Sequence, residues 1–169
     1  MGTMLKSNTE SGKDTADEFD NSFEVPLPPG EAWAVLSDIQ RIARYVPGVE
    51  LTEVLDKTTY RGKISVPFGP VTLTFALQAK FDELDHVNRT ARVKAQGPDD
   101  KGRGGADCTL SFRLEPAGSG SKVQVHTYLV LSGAAAQYAR DVGMVQATAG
   151  KIMSQFAANL RAQLAGHSA

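Results

Sequence analysis

Cys108 stands alone as a cysteine in 169 residues, so no internal disulfide staples this chain. That excludes the disulfide-dense secreted scaffolds and, with no charged-then-apolar leader at the start, points to a reducing, cytoplasmic setting. Aromatic residues make up only 7%, and Lys plus Arg number 18 against 19 Asp plus Glu. A net charge of −1 offers no field to a nucleic-acid backbone, which is not expected as a partner. No uninterrupted apolar run is long enough to span a bilayer. His86, His126 and His167 are far apart and share no metal-ligand spacing, so no metal site is expected. Lys101-Gly102-Arg103-Gly104-Gly105 is glycine-rich but lacks the pattern and strand-to-helix context of a phosphate loop, and reads as a flexible hairpin turn.

What remains suits one compact domain with a core built largely from small side chains. Residues 1–18 are polar enough to read as a disordered tail, residues 19–165 as the folded domain, and residues 166–169 as a short C-terminal tail. Phe19, Phe23, Val25 and Leu27 alternate along a first strand that ends at Pro28-Pro29-Gly30. A short helix carries Ala32, Trp33, Val35 and Leu36, and a second, from about Asp38, stops before Pro47-Gly48. Beyond Val49 and Leu51 the chain alternates through further strands. Tyr60, Ile64, Val66 and Phe68 share an inward face on one, and Leu73, Phe75 and Leu77 on the next. Val93 and Ala95, then Leu110 and Phe112, then Val125 and Leu129 follow on three more. This is an antiparallel meander with one wet and one dry face. After Ser132-Gly133 the period becomes 3.6, with Tyr138, Val142, Val145, Ala149, Ile152, Phe156, Leu160 and Leu164 on one stripe of a helix from about Ala135 to Ala165. Such a helix is roughly 45 Å long at 1.5 Å per residue. The fold class is α+β: a curved, seven-stranded antiparallel sheet around a long C-terminal helix, with two short helices after the first strand.

The dry face carries Tyr60, Thr127 and Cys108 but no carboxylate, lysine or histidine, and general acid-base catalysis needs a titratable group within hydrogen-bond reach. Cys108 has no activating base beside it and reads as an inert thiol. Gly62, Ala79, Ala91, Ala95, Gly97 and Ala106 are small, which leaves room for an apolar cavity between sheet and helix; close packing as ordinary core is the alternative. Counting reversals puts the mouth at the end holding Val66 to Pro70, Gly97 to Gly105 and Ser132-Gly133, framed by Phe68 and Tyr138. A second helical stripe of small residues, Ala136, Ala139, Gly143, Ala147, Gly150 and Ser154, suggests close approach to the sheet, with docking of a partner as the alternative. Arg61, Lys63, Lys80, Arg92 and Lys94 occupy outward positions that could together form a basic patch.

The order of elements, with Pro28 to Asp38 and Tyr45-Val46-Pro47-Gly48, resembles the helix-grip fold of Bet v 1-like and START-like (SRPBCC) domains. Tyr60 to Val66, Gly69-Pro70-Val71, Asp85 to Ala91, Gly104 to Asp107, Leu131-Ser132-Gly133 and Gln155 to Leu160 more specifically resemble the carbon monoxide dehydrogenase CoxG family, from about Asp20 to Leu164. The resemblance implies a non-catalytic accessory of molybdenum-containing CO dehydrogenase-like oxidoreductases. It also implies a lipophilic ligand, menaquinone or another isoprenoid quinone, and peripheral contact with the inner face of the plasma membrane. Two rivals remain: a cyclase or aromatase of the same fold, with Tyr60 and Thr127 as a thin candidate pair, and an assembly factor that binds an oxidoreductase through its helix and carries nothing.

Overall fold

The computed structural model describes residues 15–68, 70–138 and 142–168, without the side chains of residues 15, 68, 138, 142–144 and 165–168. Strand β1 (Thr15–Val25) is followed by helices α1 (Pro29–Leu36) and α2 (Ile39–Ile42) and a 3-10 turn at Ala43–Tyr45. Strands β2 (Val49–Val54), β3 (Thr59–Phe68), β4 (Val71–Asp85), β5 (Thr90–Pro98), β6 (Gly105–Ala117) and β7 (Gly120–Ser132) form the meander. Helices α3 (Ala134–Tyr138) and α4 (Val142–Ser168) close the chain. All neighbours pair antiparallel, in the order β1-β7-β6-β5-β4-β3-β2. Because α1 and α2 carry the chain across, β1 and β2 end on opposite edges of one curved sheet, and α4 lies in its hollow. This is the helix-grip architecture.

Local chemistry explains the joints. Pro29 sits in the first turn of α1, where its missing N–H costs nothing, and the Asp38 carboxylate accepts from Arg41 N to start α2. The Asp85 carboxylate accepts from the backbone N–H of Val87 and Asn88 and shapes the β4–β5 turn. In the first helix Trp33 is buried. Its indole N–H donates to His86 Nδ1 at 2.9 Å, and its ring centroid lies 6.0 Å from that of Phe112.

Strand β1 begins at Thr15 rather than Phe19. Asp17 continues the alternation of Phe19, Phe23 and Val25 onto the buried face. A carboxylate in an inward position masked the start of the strand; residues 1–14, read as tail, lie outside the described residues. On the outer face His126 lies between two carboxylates of β1, with Nδ1 2.8 Å from Asp20 and Nε2 3.1 Å from Glu18. Both nitrogens donate only in the imidazolium form, and the Asp20 hydrogen bond, with the two negative charges, raises the His126 pKa. A raised folded-state pKa contributes stability that is complete below the unfolded value of 6.5 and is lost as pH rises through the folded value. We expect His126→Gln to lower stability at pH 5.5 by less than about 1 kcal/mol, since the site is exposed, and to have no effect at pH 9. Urea titrations of both chains at the two pH values measure this.

The apolar interior divides into two clusters. One gathers Trp33, Leu36, Ile39, Phe81, Phe112, Val123, Phe156 and Leu160 under α1 and the C-terminal half of α4. The other gathers Phe19, Leu73, Phe75, Leu131, Ala135, Ala136 and Val145 under α3. The second cluster lies at the end of the sheet where the mouth is expected, while Gly69 and the side chains of Phe68 and Tyr138, which would frame it, lie outside the described residues. The Pro98 to Gly105 hairpin turn is clasped by hydrogen bonds there. The buried Asp99 carboxylate accepts from Lys101 N, Arg103 N and the Arg103 guanidinium, while Arg103 O accepts from Ala135 N at 2.7 Å. Gly104 holds φ +126°, and a Cβ there would lie 2.0 Å from the Ser132 carbonyl oxygen.

Two small-residue expectations are corrected. Gly97 does not keep the interior open: a Cβ on it would meet the Ala76 carbonyl oxygen at 1.8 Å, so glycine lets β4 and β5 approach. The small stripe on α4 does not press on the sheet either. Ala147 and Ser154 are exposed and a Cβ at Gly150 would meet nothing within 4 Å, although Ala136 on α3 is buried; Ala139 and the Gly143 side lie outside the described residues. Among the described residues no helix is long and apolar enough to cross a membrane.

Candidate functional site

One ladder row explains where the interior stays open. Tyr60, Ala79, Ala95 and Cys108 are cross-strand partners in sequence across β3, β4, β5 and β6. Side chains alternate across a strand, so all four point to the inner face, and the two alanines in the middle fill little of it. Above them lies a cavity of about 330 Å³. Its sheet wall comprises Tyr60, Ile64, Leu77, Val93, Ala95, Leu110, Phe112 and Val125, and Ile152 of α4 reaches it as well. These nine expected residues are brought together.

Five other expected residues lie elsewhere. Leu73, Phe75 and Val145 are buried in the second cluster, with Val66 and Leu129 packed against it. Ala135 and Ala136 of α3 belong to the same cluster. The side chains of Phe68, Tyr138 and Val142 lie outside the described residues. Conversely, Phe23, Leu36, Ile39, Ile42, Ala43, Val46, Val49, Leu51, Met153 and Phe156 line the cavity without having been singled out for it. The spacing of Ile39, Ile42 and Val46 past the Asp38 cap is the sequence signal that would have found them. The 3-10 turn is fixed over the cavity by Asn159 of α4, whose side-chain amide donates to Tyr45 O at 2.9 Å.

The chemistry of the wall is almost entirely apolar. Tyr60 donates its hydroxyl to Lys57 O at 2.9 Å, and burial, helped by Asp38 and Asp56, raises its pKa. Thr127, opposite Leu110 and Phe19 in the ladders, is not part of the lining. The candidate acid-base pair is therefore not assembled at the cavity. Burial, followed by the charge of Asp107, pushes the Cys108 thiol up to about 11, so it is not a thiolate at neutral pH. On the outer face Lys80 and Lys94 stand directly opposite, but Arg61 meets Glu53 at 3.6 Å and Arg92 binds Asp82 and Glu83, which breaks up the basic patch.

Asp17 is an inward carboxylate of the sheet that the sequence reading places in the polar tail. It lies beyond Leu129 in the ladder, and its Oδ2 has no hydrogen-bond partner among the described residues. Burial raises its pKa above 3.8. The folded state then holds the proton more tightly than the unfolded chain, so stability falls as pH rises from 3.8 through the folded value. Asp17→Leu should raise stability at pH 7 by about 1 kcal/mol and flatten that acid-side slope, read from urea titrations between pH 4 and pH 7.

The overall geometry has solved counterparts. A conserved protein from Geobacillus kaustophilus superposes with a TM-score of 0.73 at 16% identity, covering 89% of this chain and 96% of that one. The Zhui aromatase/cyclase from Streptomyces sp. R1128 gives 0.62 at 14% identity over 88% and 93% of the two chains. Norcoclaurine synthase from Thalictrum flavum, in complex with dopamine and hydroxybenzaldehyde, gives 0.61 at 17% identity over 92% and 90%. These likenesses establish a Bet v 1-like fold. No curated protein matches the sequence. The pattern of the CoxG subunit of carbon monoxide dehydrogenase matches residues 22–165, nearly the whole described domain, and to that family the chain belongs.

Proposed function

We propose that this protein is a non-catalytic carrier of a lipophilic molecule, an isoprenoid quinone such as menaquinone, serving a molybdenum CO dehydrogenase-type oxidoreductase. The observation that carries this reading is a cavity of about 330 Å³ whose wall is almost entirely apolar and whose Tyr60 hydroxyl is already donating to Lys57 O. Each methylene taken from water into such a space contributes about 0.8 kcal/mol, so a chain of modest length binds with few polar contacts. Family membership supports the partner, and peripheral contact with the inner face of the plasma membrane would give access to such a ligand. Native mass spectrometry after gentle purification should show a lipophilic adduct. A clean apo mass, together with no uptake of added quinone, would overturn the proposal.

A cyclase-type activity is the second reading, because the Zhui aromatase/cyclase has the same fold. Here the Tyr60 hydroxyl is committed to Lys57 O and Thr127 lies off the cavity, which weighs against it. Loss of turnover in a Tyr60→Phe variant on polyketide-like substrates would favour it instead.

A further inference from the structure

A second depression runs beside the cavity, along the free edge of β2. Its volume is about 480 Å³, and it shares Ala43, Val49 and Leu51 with the cavity wall. Those three residues form a seam. Ala43 sits on the 3-10 turn with only a methyl side chain, and Val49 and Leu51 alternate on a strand with no neighbour beyond it. On the inner side of the seam lies hydrocarbon. On the outer side Gln40, Arg44 and Thr52 supply polar hydrogen atoms. Glu53 also borders the groove, but it faces Arg61 at 3.6 Å. Arg44 is exposed and forms no ion pair among the described residues.

We infer that the groove is the head-group site of an amphiphile whose chain occupies the cavity, entering through the seam between the 3-10 turn and the edge strand. The head is one rich in acceptor oxygens, as the carbonyls of a quinone ring are. This rests on the carrier reading and makes it more specific. The cavity is at the lower end of ligand pockets, which run from about 300 to 1,000 Å³, so a long isoprenoid with its ring does not fit inside whole. The division of donors decides which part stays out. Inside, the Tyr60 hydroxyl is already donating, and a carbonyl placed there would lose its water without a replacement partner. In the groove the Arg44 guanidinium and the Gln40 amide meet it.

The test uses the full chain and two probes titrated calorimetrically: a benzoquinone carrying a ten-carbon chain, and 1-decanol, which has the chain alone. Arg44→Ala should weaken the quinone about fivefold or more and leave decanol within about twofold. Thr52→Trp, which obstructs the groove but not the cavity, should do the same. Ala95→Trp should abolish binding of both probes. If the groove variants leave quinone affinity unchanged while Ala95→Trp abolishes it, the head-group site is overturned and the carrier reading stands. If neither probe binds the wild-type chain, the carrier reading falls, and the head-group site with it. Circular dichroism of each variant confirms that it is folded.

Discussion

Replacing Ala95 with Trp should abolish uptake of a lipophilic probe without unfolding the protein. Ala95 stands between Ala79 and Cys108 in the ladder, at the part of the sheet where the wall is lowest. An indole there projects into the cavity of about 330 Å³ and occupies much of it. Overpacking a filled core costs about 1–3 kcal/mol, but here the added ring meets space and buries apolar surface of its own. Affinity for a ten-carbon chain should fall about 100-fold, and the adduct seen by native mass spectrometry should vanish. The melting temperature should stay within a few degrees of wild type or rise. Ala147→Trp, on the exposed side of α4, is the control and should change neither quantity. An adduct retained by Ala95→Trp would place the ligand elsewhere.

Asp99→Ala should be the most damaging single change to the fold outside the main core. It removes the carboxylate that accepts from Lys101 N, Arg103 N and the Arg103 guanidinium, and so loosens the loop that presents Arg103 O to Ala135 N. Breaking a buried ion pair typically costs about 3–5 kcal/mol; Arg103 is partly exposed and regains water, so about 2–4 kcal/mol is expected. For a chain of this size that lowers the melting temperature by roughly 5–15 °C. The sign of the pH dependence follows from the same geometry. The Arg103 hydrogen bond holds the Asp99 carboxyl well below the usual carboxylate range. Its stabilising contribution is present above 3.8, its unfolded value, and is lost only as pH falls through the lower folded value. The difference between wild type and variant should therefore be constant from pH 7 down to about pH 5 and shrink only in stronger acid.

The sequence spelled out the architecture through its periodicities. Tyr60 to Phe68 and Val71 to Phe81 alternate strictly because one face of an antiparallel sheet is wet, and Val145 to Leu164 repeats every 3.6 residues because one side of α4 is buried. Membership of the family was legible in the separated motifs between Tyr60 and Leu160. The position of the cavity along the sheet was not. Leu73 and Leu77 are identical in kind and lie on the same inward face, yet one is sealed beneath α3 and the other lines open space. Which of them meets a neighbour depends on where the Asp99 clasp and the short helices land. Those placements are set by a buried ion pair and by backbone carbonyls, and neither leaves a periodic trace. Gly97 and Gly150 make the same point: one glycine admits a carbonyl oxygen from the next strand, the other has open space before it, and composition alone treats them alike.

Trp33 gives the cavity an optical readout of its own. It is the single tryptophan in the chain, so intrinsic emission excited at the red edge of the absorption band comes from one place. The indole is hydrogen-bonded to His86 and tilted against Phe112, which also lines the cavity. An electron-accepting quinone that enters the cavity comes within reach of photoinduced electron transfer from that indole, whereas a saturated chain does not. The residue that anchors α1 against the sheet therefore also distinguishes, by quenching, which end of an amphiphile has gone in.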